Sequence, residues 1–265
     1  MKSRSLPLIC LIVTCLLASS VHGQVLPVSS GPVRMGHLHI ISASPEAQKR
    51  FWTEGLGAEF VASEAYDVYK VPGVLIVVQK GSEREGTAGS VVNHIGMRVR
   101  DLKAAVVKCK AAGAEIESEN AKQAMMTAPD RIRVELTLDD TLTTAVANHH
   151  IHLYGSDPDE MRKWYGDVFG ATPGMRGPFK AADLPGVNLS FSQTGAALAG
   201  TEGRALDHIG FEVHGLETFT HKLEENGLKL AAPYKQVPSL GIAIAFLRDP
   251  WGTYIELTEG LDRLP

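Results

Sequence analysis

The string DHIGFEV at residues 207–213 has a near copy, NHIGMRV, at residues 93–99. Each copy is followed downstream by a carboxylate inside a short apolar run, Glu135 in RVEL and Glu256 in YIEL. Working outward, each copy also has a histidine upstream, His37 in GHLHI and His150 in HHIHL. Each half of the chain therefore offers His, His and Glu in one order: His37, His94, Glu135, then His150, His208, Glu256. Two imidazoles and one carboxylate suit a divalent first-row metal and leave coordination positions open for a substrate.

The spacing between copies shows duplication. His37 and His150 are 113 residues apart, and so are the turn pairs Pro72-Gly73 and Pro185-Gly186. His37 to Trp52 and His150 to Tyr165 are both 15 residues. A repeat that keeps register over such a distance marks one structural unit used again. The unit reads as strand, helix and three strands. In the first, residues 35–41 alternate so that His37 and His39 share one face while Leu38 and Ile40 take the other. Pro45 then opens a helix with Phe51, Trp52 and Leu56 as its apolar stripe. Strand-like runs follow at 59–62, 66–71 and 74–79, the last two separated by Pro72-Gly73. The same order restarts at His94, at His150 and at His208. Four βαβββ modules predict an α+β chain with two modules per domain, the first domain at 35–140 and the second at 148–260.

The N-terminus is of a different kind. Lys2 and Arg4 precede an apolar run at 6–18, and Val21-His22-Gly23 ends in a small residue. Residues 1–23 read as a signal peptide cleaved after Gly23, with a linker at 24–34, and predict a secreted or periplasmic protein. No later stretch has the length of a membrane helix. Cleavage removes Cys10 and Cys15 and leaves Cys109 alone, so the mature chain forms no internal disulfide. It also lowers the formal net charge of −4 by two, and the chain has no basic stripe, which excludes nucleic acid as a partner.

The openings HLHI…FWTEGLGA and HIHL…WYGDVFGA, the two HIG strands and DPWGTYIEL together resemble the vicinal oxygen chelate superfamily of glyoxalases, bleomycin- and fosfomycin-resistance proteins and extradiol dioxygenases. The resemblance spans residues 35–258 and implies that paired modules form two glyoxalase-like half-open barrels, each cupping a metal. Carried over by position, it puts metal on His37, His94 and Glu135 in one half and on His150, His208 and Glu256 in the other. The chemistry of the residues agrees, since a carboxylate inside a strand facing a barrel interior is costly unless a cation or partner compensates it. The second set is expected to be the better one, because DPWGTYIE keeps Gly252 where the first half has Arg131. His39 and His152, two residues beyond a ligand, and Tyr254, beside Glu256, are candidate catalytic groups. His149 is expected to point away from the site, His214 and His221 to lie on the surface, and Trp52, Trp164 and Tyr165 to pack helices.

The resemblance further implies a divalent metal, Fe(II) or Mn before Zn or Ni, a small oxygenated substrate, and a homodimer as one option. Glyoxalase-like sites add a fourth ligand from the last strand of the odd-numbered module. Here those strands, VLIVVQK and VNLSFSQT, offer Gln79, Ser190 and Ser192 but no carboxylate. Dioxygenase-type chemistry is favoured on ligand count, although Phe246 stands where ring-cleaving enzymes place a tyrosine. The alternatives are a glyoxalase-type lyase or isomerase, and a ligand-binding protein of the bleomycin-resistance kind that turns nothing over.

Overall fold

The computed structural model describes residues 32–62 and 66–263. The stretch expected as a signal peptide, 1–23, and nearly all of the expected linker fall outside the described residues.

Four long strands open the four modules: β1 (Val33–Ser42), β5 (Val92–Val99), β9 (Val146–Gly155) and β13 (Leu206–Val213). Each is followed by a helix: α1 (Pro45–Arg50), α2 (Leu102–Ala111), α3 (Pro158–Phe169) and α4 (Leu216–Glu225). α1 is short because its chain continues as a π-turn at Phe51–Gly55. α3 is the best delimited. Asp157 caps its first turn, accepting from the backbone N–H of Asp159 and Glu160, and Gly170 stops it in the left-handed conformation. Three strands complete each module: β2 (Glu59–Ala62), β3 (Asp67–Val71) and β4 (Val74–Lys80); β6 (Glu115–Glu119), β7 (Gln123–Ala128) and β8 (Ile132–Leu138); β10 (Thr172–Arg176), β11 (Phe179–Leu184) and β12 (Val187–Gln193); β14 (Leu230–Val237), β15 (Ile242–Arg248) and β16 (Tyr254–Glu259).

These strands form two eight-stranded sheets. One runs β14-β15-β16-β13-β1-β4-β3-β2 and the other β10-β11-β12-β9-β5-β8-β7-β6. The modules therefore pair first with fourth and second with third. Neither stretch expected as a domain, 35–140 or 148–260, closes a cup of its own. β1 lies antiparallel to β13, with Leu38 opposite Ile209 and His39 opposite His208. β5 lies antiparallel to β9, with Ile95 opposite Ile151 and His94 opposite His152. The period-2 pattern says which residues of a strand face inward, and it is the same in all four modules, so it carries no information about which module lies alongside.

The connections do carry that information. Modules two and three are joined through the seven residues 139–145, while longer segments, 81–91 and 194–205, lead into and out of this inner pair. Those two segments run side by side: the Ala205 N–H donates to the Glu85 carbonyl at 2.8 Å, and the Val91 N–H to the Ala199 carbonyl at 3.0 Å. The inner cup is thus nested inside the outer one, whose two modules come from the two ends of the chain. Both sheets share one apolar core that includes Leu38, Phe51, Trp52, Ile95, Phe191 and Phe211. The expected packing roles hold for two of the aromatic residues, whose polar atoms are also paired: Trp52 Nε1 donates to Gln48 at 2.9 Å and the Tyr165 hydroxyl to Asp249 at 2.9 Å. Cys109 is buried in the same core, and burial pushes its thiol up to about 12.

Candidate functional site

All six expected ligands lie in the cups, but the nested topology regroups them. The outer cup collects His37 from β1, His208 from β13 and Glu256 from β16. The inner cup collects His94 from β5, His150 from β9 and Glu135 from β8. The expected sets each drew one histidine from the wrong cup: His94 and Glu135 do not meet His37, and His208 and Glu256 do not meet His150.

In the outer cup both imidazoles converge on one carboxylate oxygen. Glu256 Oε2 lies 3.0 Å from His37 Nε2 and 2.9 Å from His208 Nε2. Burial would raise the Glu256 carboxyl, but the hydrogen bonds from His208 and His37 outweigh it and hold the group far below the usual carboxylate range. His208 Nδ1 is 2.8 Å from Asp207 Oδ1, an acceptor only, so this nitrogen carries a proton. In a neutral His208 the lone pair then sits on Nε2 and faces the Glu256 oxygen. Two lone pairs at that distance repel unless a proton or a cation stands between them. A proton can serve: burial pushes His208 down, and Asp207 and Glu256 more than reverse this. A divalent cation serves the same geometry, and the Asp207 contact is the outer-shell carboxylate that metal-binding histidines usually have. His37 Nδ1 is buried with no hydrogen-bond partner.

His39 completes this cup. Its ring stacks on that of His208 at 4.4 Å, and its Nε2–H donates to Gln79 Oε1 at 3.3 Å. Ligating nitrogens of His37, His39 and His208 lie within 4.8 Å of one another, so the cup offers three imidazoles and a carboxylate to a metal. Burial, then the nearby His208 and His37, bring His39 down to about 3, which leaves it neutral at ordinary pH. Phe246 and Tyr254 stack at 4.9 Å and present their edges to His208. Tyr254 therefore lines the outer cup.

The two HIG glycines have a spatial cause. A Cβ on Gly210 would lie 2.1 Å from the His37 ring, and one on Gly96 would lie 2.0 Å from the His150 ring. Each glycine is the bed on which the candidate ligand histidine of the paired module lies. Alanine at either position is expected to force that ring aside and to cost about 1–3 kcal/mol of stability, read as a lower midpoint of urea unfolding.

Register also settles the fourth-ligand position. Glu256 pairs with Gly210, and His39, the counterpart of Gly210 on β1, pairs with Val77. Val77 therefore holds the place equivalent to Glu256, and Gln79 lies two residues beyond it. In the inner cup Glu135 pairs with Gly96 and Ser190 with His152, so Ser190 holds the equivalent place there.

The inner cup is wired differently. His94 Nδ1 donates to Asn93 Oδ1 at 2.9 Å, an oxygen that also accepts from Arg133 at 2.6 Å. His94 Nε2 meets His150 Nε2 at 3.2 Å, and His150 Nδ1 meets His149 Nδ1 at 3.1 Å. His149 was expected to point away; the bulge in the β5–β9 ladder between Gly96 and Met97 keeps it beside His150 instead. His152 bonds Ser192 at 2.8 Å, and burial, then His94 and Arg176, bring it down to about 3. Glu135 lies 3.5 Å from His94 and 3.9 Å from His150, and it accepts from Gln123 and Thr137, both at 3.1 Å. Arg176 on β10 adds a guanidinium, 3.7 Å from Glu135 and bonded to Ser190 Oγ at 2.7 Å. Nothing in the repeat announces Arg176, since the 113-residue offset pairs it with Ser63. Asn93 and Asp207 were legible as the short polar residue before each HIG.

A family model described as the Glyoxalase/Bleomycin resistance protein/Dioxygenase superfamily matches residues 148–257, and one for a glyoxalase-like domain matches residues 38–137. No curated protein matches the chain. Among solved structures, glyoxalase I from Zea mays is similar at 16% identity, with 87% of this chain and 94% of that chain covered and a TM-score of 0.66. A dioxygenase candidate from Bacillus subtilis subsp. subtilis str. 168 is similar at 14% identity, with 85% of each chain covered and a TM-score of 0.63. At these identities the likeness is one of fold.

Proposed function

Because the chain belongs to the vicinal oxygen chelate superfamily, we propose that its outer cup is the active site of a metal-dependent enzyme acting on a small oxygenated molecule, with dioxygenase-type chemistry on a catechol-like ring. His37, His208 and Glu256 are the ligands. The observation that carries this reading is the meeting of two imidazole Nε2 atoms at one Glu256 oxygen, with the tautomer of His208 fixed by Asp207. Bound there, a divalent metal acts as a Lewis acid on adjacent substrate oxygens or, as Fe(II), supplies oxygen chemistry. Val77 at the fourth-ligand place leaves the coordination face open, which supports the dioxygenase type over the four-ligand glyoxalase type. His39, neutral and stacked on a ligand, is placed to hydrogen-bond and orient a substrate hydroxyl. Tyr254 and Phe246 form an aromatic wall beside His208 suited to a flat ring. A glyoxalase-type isomerase is the second reading, favoured by the Gln79 contact to His39. In either case the charged start and the apolar run at 6–18 support a compartment outside the cytoplasm, with a mature protein that begins at Gln24.

Protein purified without chelators is expected to carry iron or manganese and to consume oxygen with catechols. A chelator should abolish uptake, and the metal alone should restore it. Nickel or zinc without oxygen uptake would move the reading to an isomerase. Failure to take up any divalent metal would sink it in favour of passive ligand binding.

A further inference from the structure

The inner cup repeats the ligand types of the outer one, yet its hydrogen bonds close without a metal. Every polar side-chain atom of His94, His149, His150 and His152 that is buried has a partner, whereas in the outer cup the His208 Nε2 lone pair faces the Glu256 carboxylate and needs a proton or a cation between them. A donor chain runs from His149 through His150 and His94 to Asn93, whose oxygen is in turn fixed by Arg133, itself held by Glu117 at 2.6 Å. The charges differ as well. Among the described residues no lysine or arginine pairs with Glu256, while Glu135 has the Arg176 guanidinium at 3.7 Å. Arg176 also donates to Ser190, the residue at the fourth-ligand place, and approaches His152 at 3.5 Å. A fixed cation thus sits among the groups that would face a metal.

We propose that Arg176 is an internal replacement for a second metal: it neutralises Glu135 and makes His94, His150 and Glu135 a latent metal site that loads only when the guanidinium is removed. A +2 ion placed against Glu135 would meet the Arg176 charge a few ångströms away in a mostly dry cup, where like charges repel strongly. The site is latent rather than lost, since all three ligand types remain and His94 keeps its outer-shell partner. Arg176 borders a cavity of about 630 Å³ with Arg98, His149 and Asn188, so a shorter or apolar side chain has room. The expected stoichiometry of one metal per chain rests on the outer-cup reading, whereas the role of Arg176 does not.

The test is Mn(II) bound per chain after equilibrium dialysis, by elemental analysis, on the full mature protein. The wild type is expected to hold one ion, lost in Glu256→Ala and kept in Glu135→Ala. Arg176→Met is expected to hold two, one of which disappears when Glu135→Ala is added; Arg176→Lys, which keeps the charge, should stay at one. Should Arg176→Met fail to fold, Arg176→Gln, which retains a donor to Ser190, takes its place. A wild type holding two ions, with one lost in Glu135→Ala, overturns the proposal. So does a folded Arg176→Met or Arg176→Gln protein that gains none. A wild type without metal whose Arg176→Met variant gains one ion would refute the outer-cup reading and leave this one standing.

Discussion

Divided within the 139–145 link and produced as two separate pieces, the chain is expected to give no folded half. Each piece holds one module of each cup, so each loses the antiparallel ladder at the centre of both sheets, β1 with β13 and β5 with β9. Leu38, Ile40, Ile95, Ile151, Ile209 and Phe211 are all buried along these ladders. Exposing a side chain of this kind costs about 1.5–3 kcal/mol, and a native domain has only about 5–15 kcal/mol in total. Each piece alone should therefore unfold without a cooperative transition, and the two mixed during refolding should recover one. A chain built as two sequential domains would behave in the opposite way, with two independent transitions from the separate halves. That result would refute the nested pairing.

The second large effect is expected from Glu256→Gln. The substitution keeps the volume and removes the charge on which both outer-cup imidazoles converge. It also puts an amide where a cation needs an anionic donor. Removing an outer-shell partner from a metal site costs roughly 10–100-fold in affinity or activity, and loss of the only carboxylate ligand should exceed that. At a metal concentration of 100 times Kd, lost binding also removes about 2.7 kcal/mol of stability. Turnover and the metal-induced rise in Tm should therefore vanish together in Glu256→Gln. Glu135→Gln, whose carboxylate already has Arg176, Gln123 and Thr137, should leave both unchanged. If both variants lose turnover equally, the outer cup is not the sole working site.

The fold was readable because the repeat is written in residue types that strands and turns require: alternation around His37, Pro-Gly at 72–73 and 185–186, and HIG twice. The six candidate ligands were readable as candidates because a histidine or carboxylate inside an apolar strand needs a reason to be there. Their grouping was not. Every module shows the same face pattern, so the partner of a strand depends on how far the linking segments must travel. The sequence holds one hint: HLH and HIH in the odd modules carry rings two residues beyond the candidate ligand, while HIG in the even modules carries none. Ring-bearing strands had to face glycine-bearing strands, and two such pairings were available, β1 with β5 or β1 with β13. Sequence position favoured the first, and the short 139–145 link with its long neighbours selects the second. Arg176 was invisible for another reason. It has no counterpart in the repeat, and its significance is purely a matter of which charge ends up beside Glu135.

The nested order of the modules has a consequence for synthesis. The inner-cup histidines His94 and His150 are 56 residues apart, whereas His37 and Glu256 are 219 apart. In equilibrium terms this hardly matters, since two doublings of loop length cost only about 1.2 kcal/mol. In time it matters a good deal. Translated at about 5–20 residues per second, the chain exposes β1, one of the most deeply buried strands of the finished fold, for on the order of ten seconds or more before β13 exists. The inner pair is complete by then, so the newborn protein passes through a stage with one finished cup and one unpaired strand edge. That is the species a chaperone would have to protect.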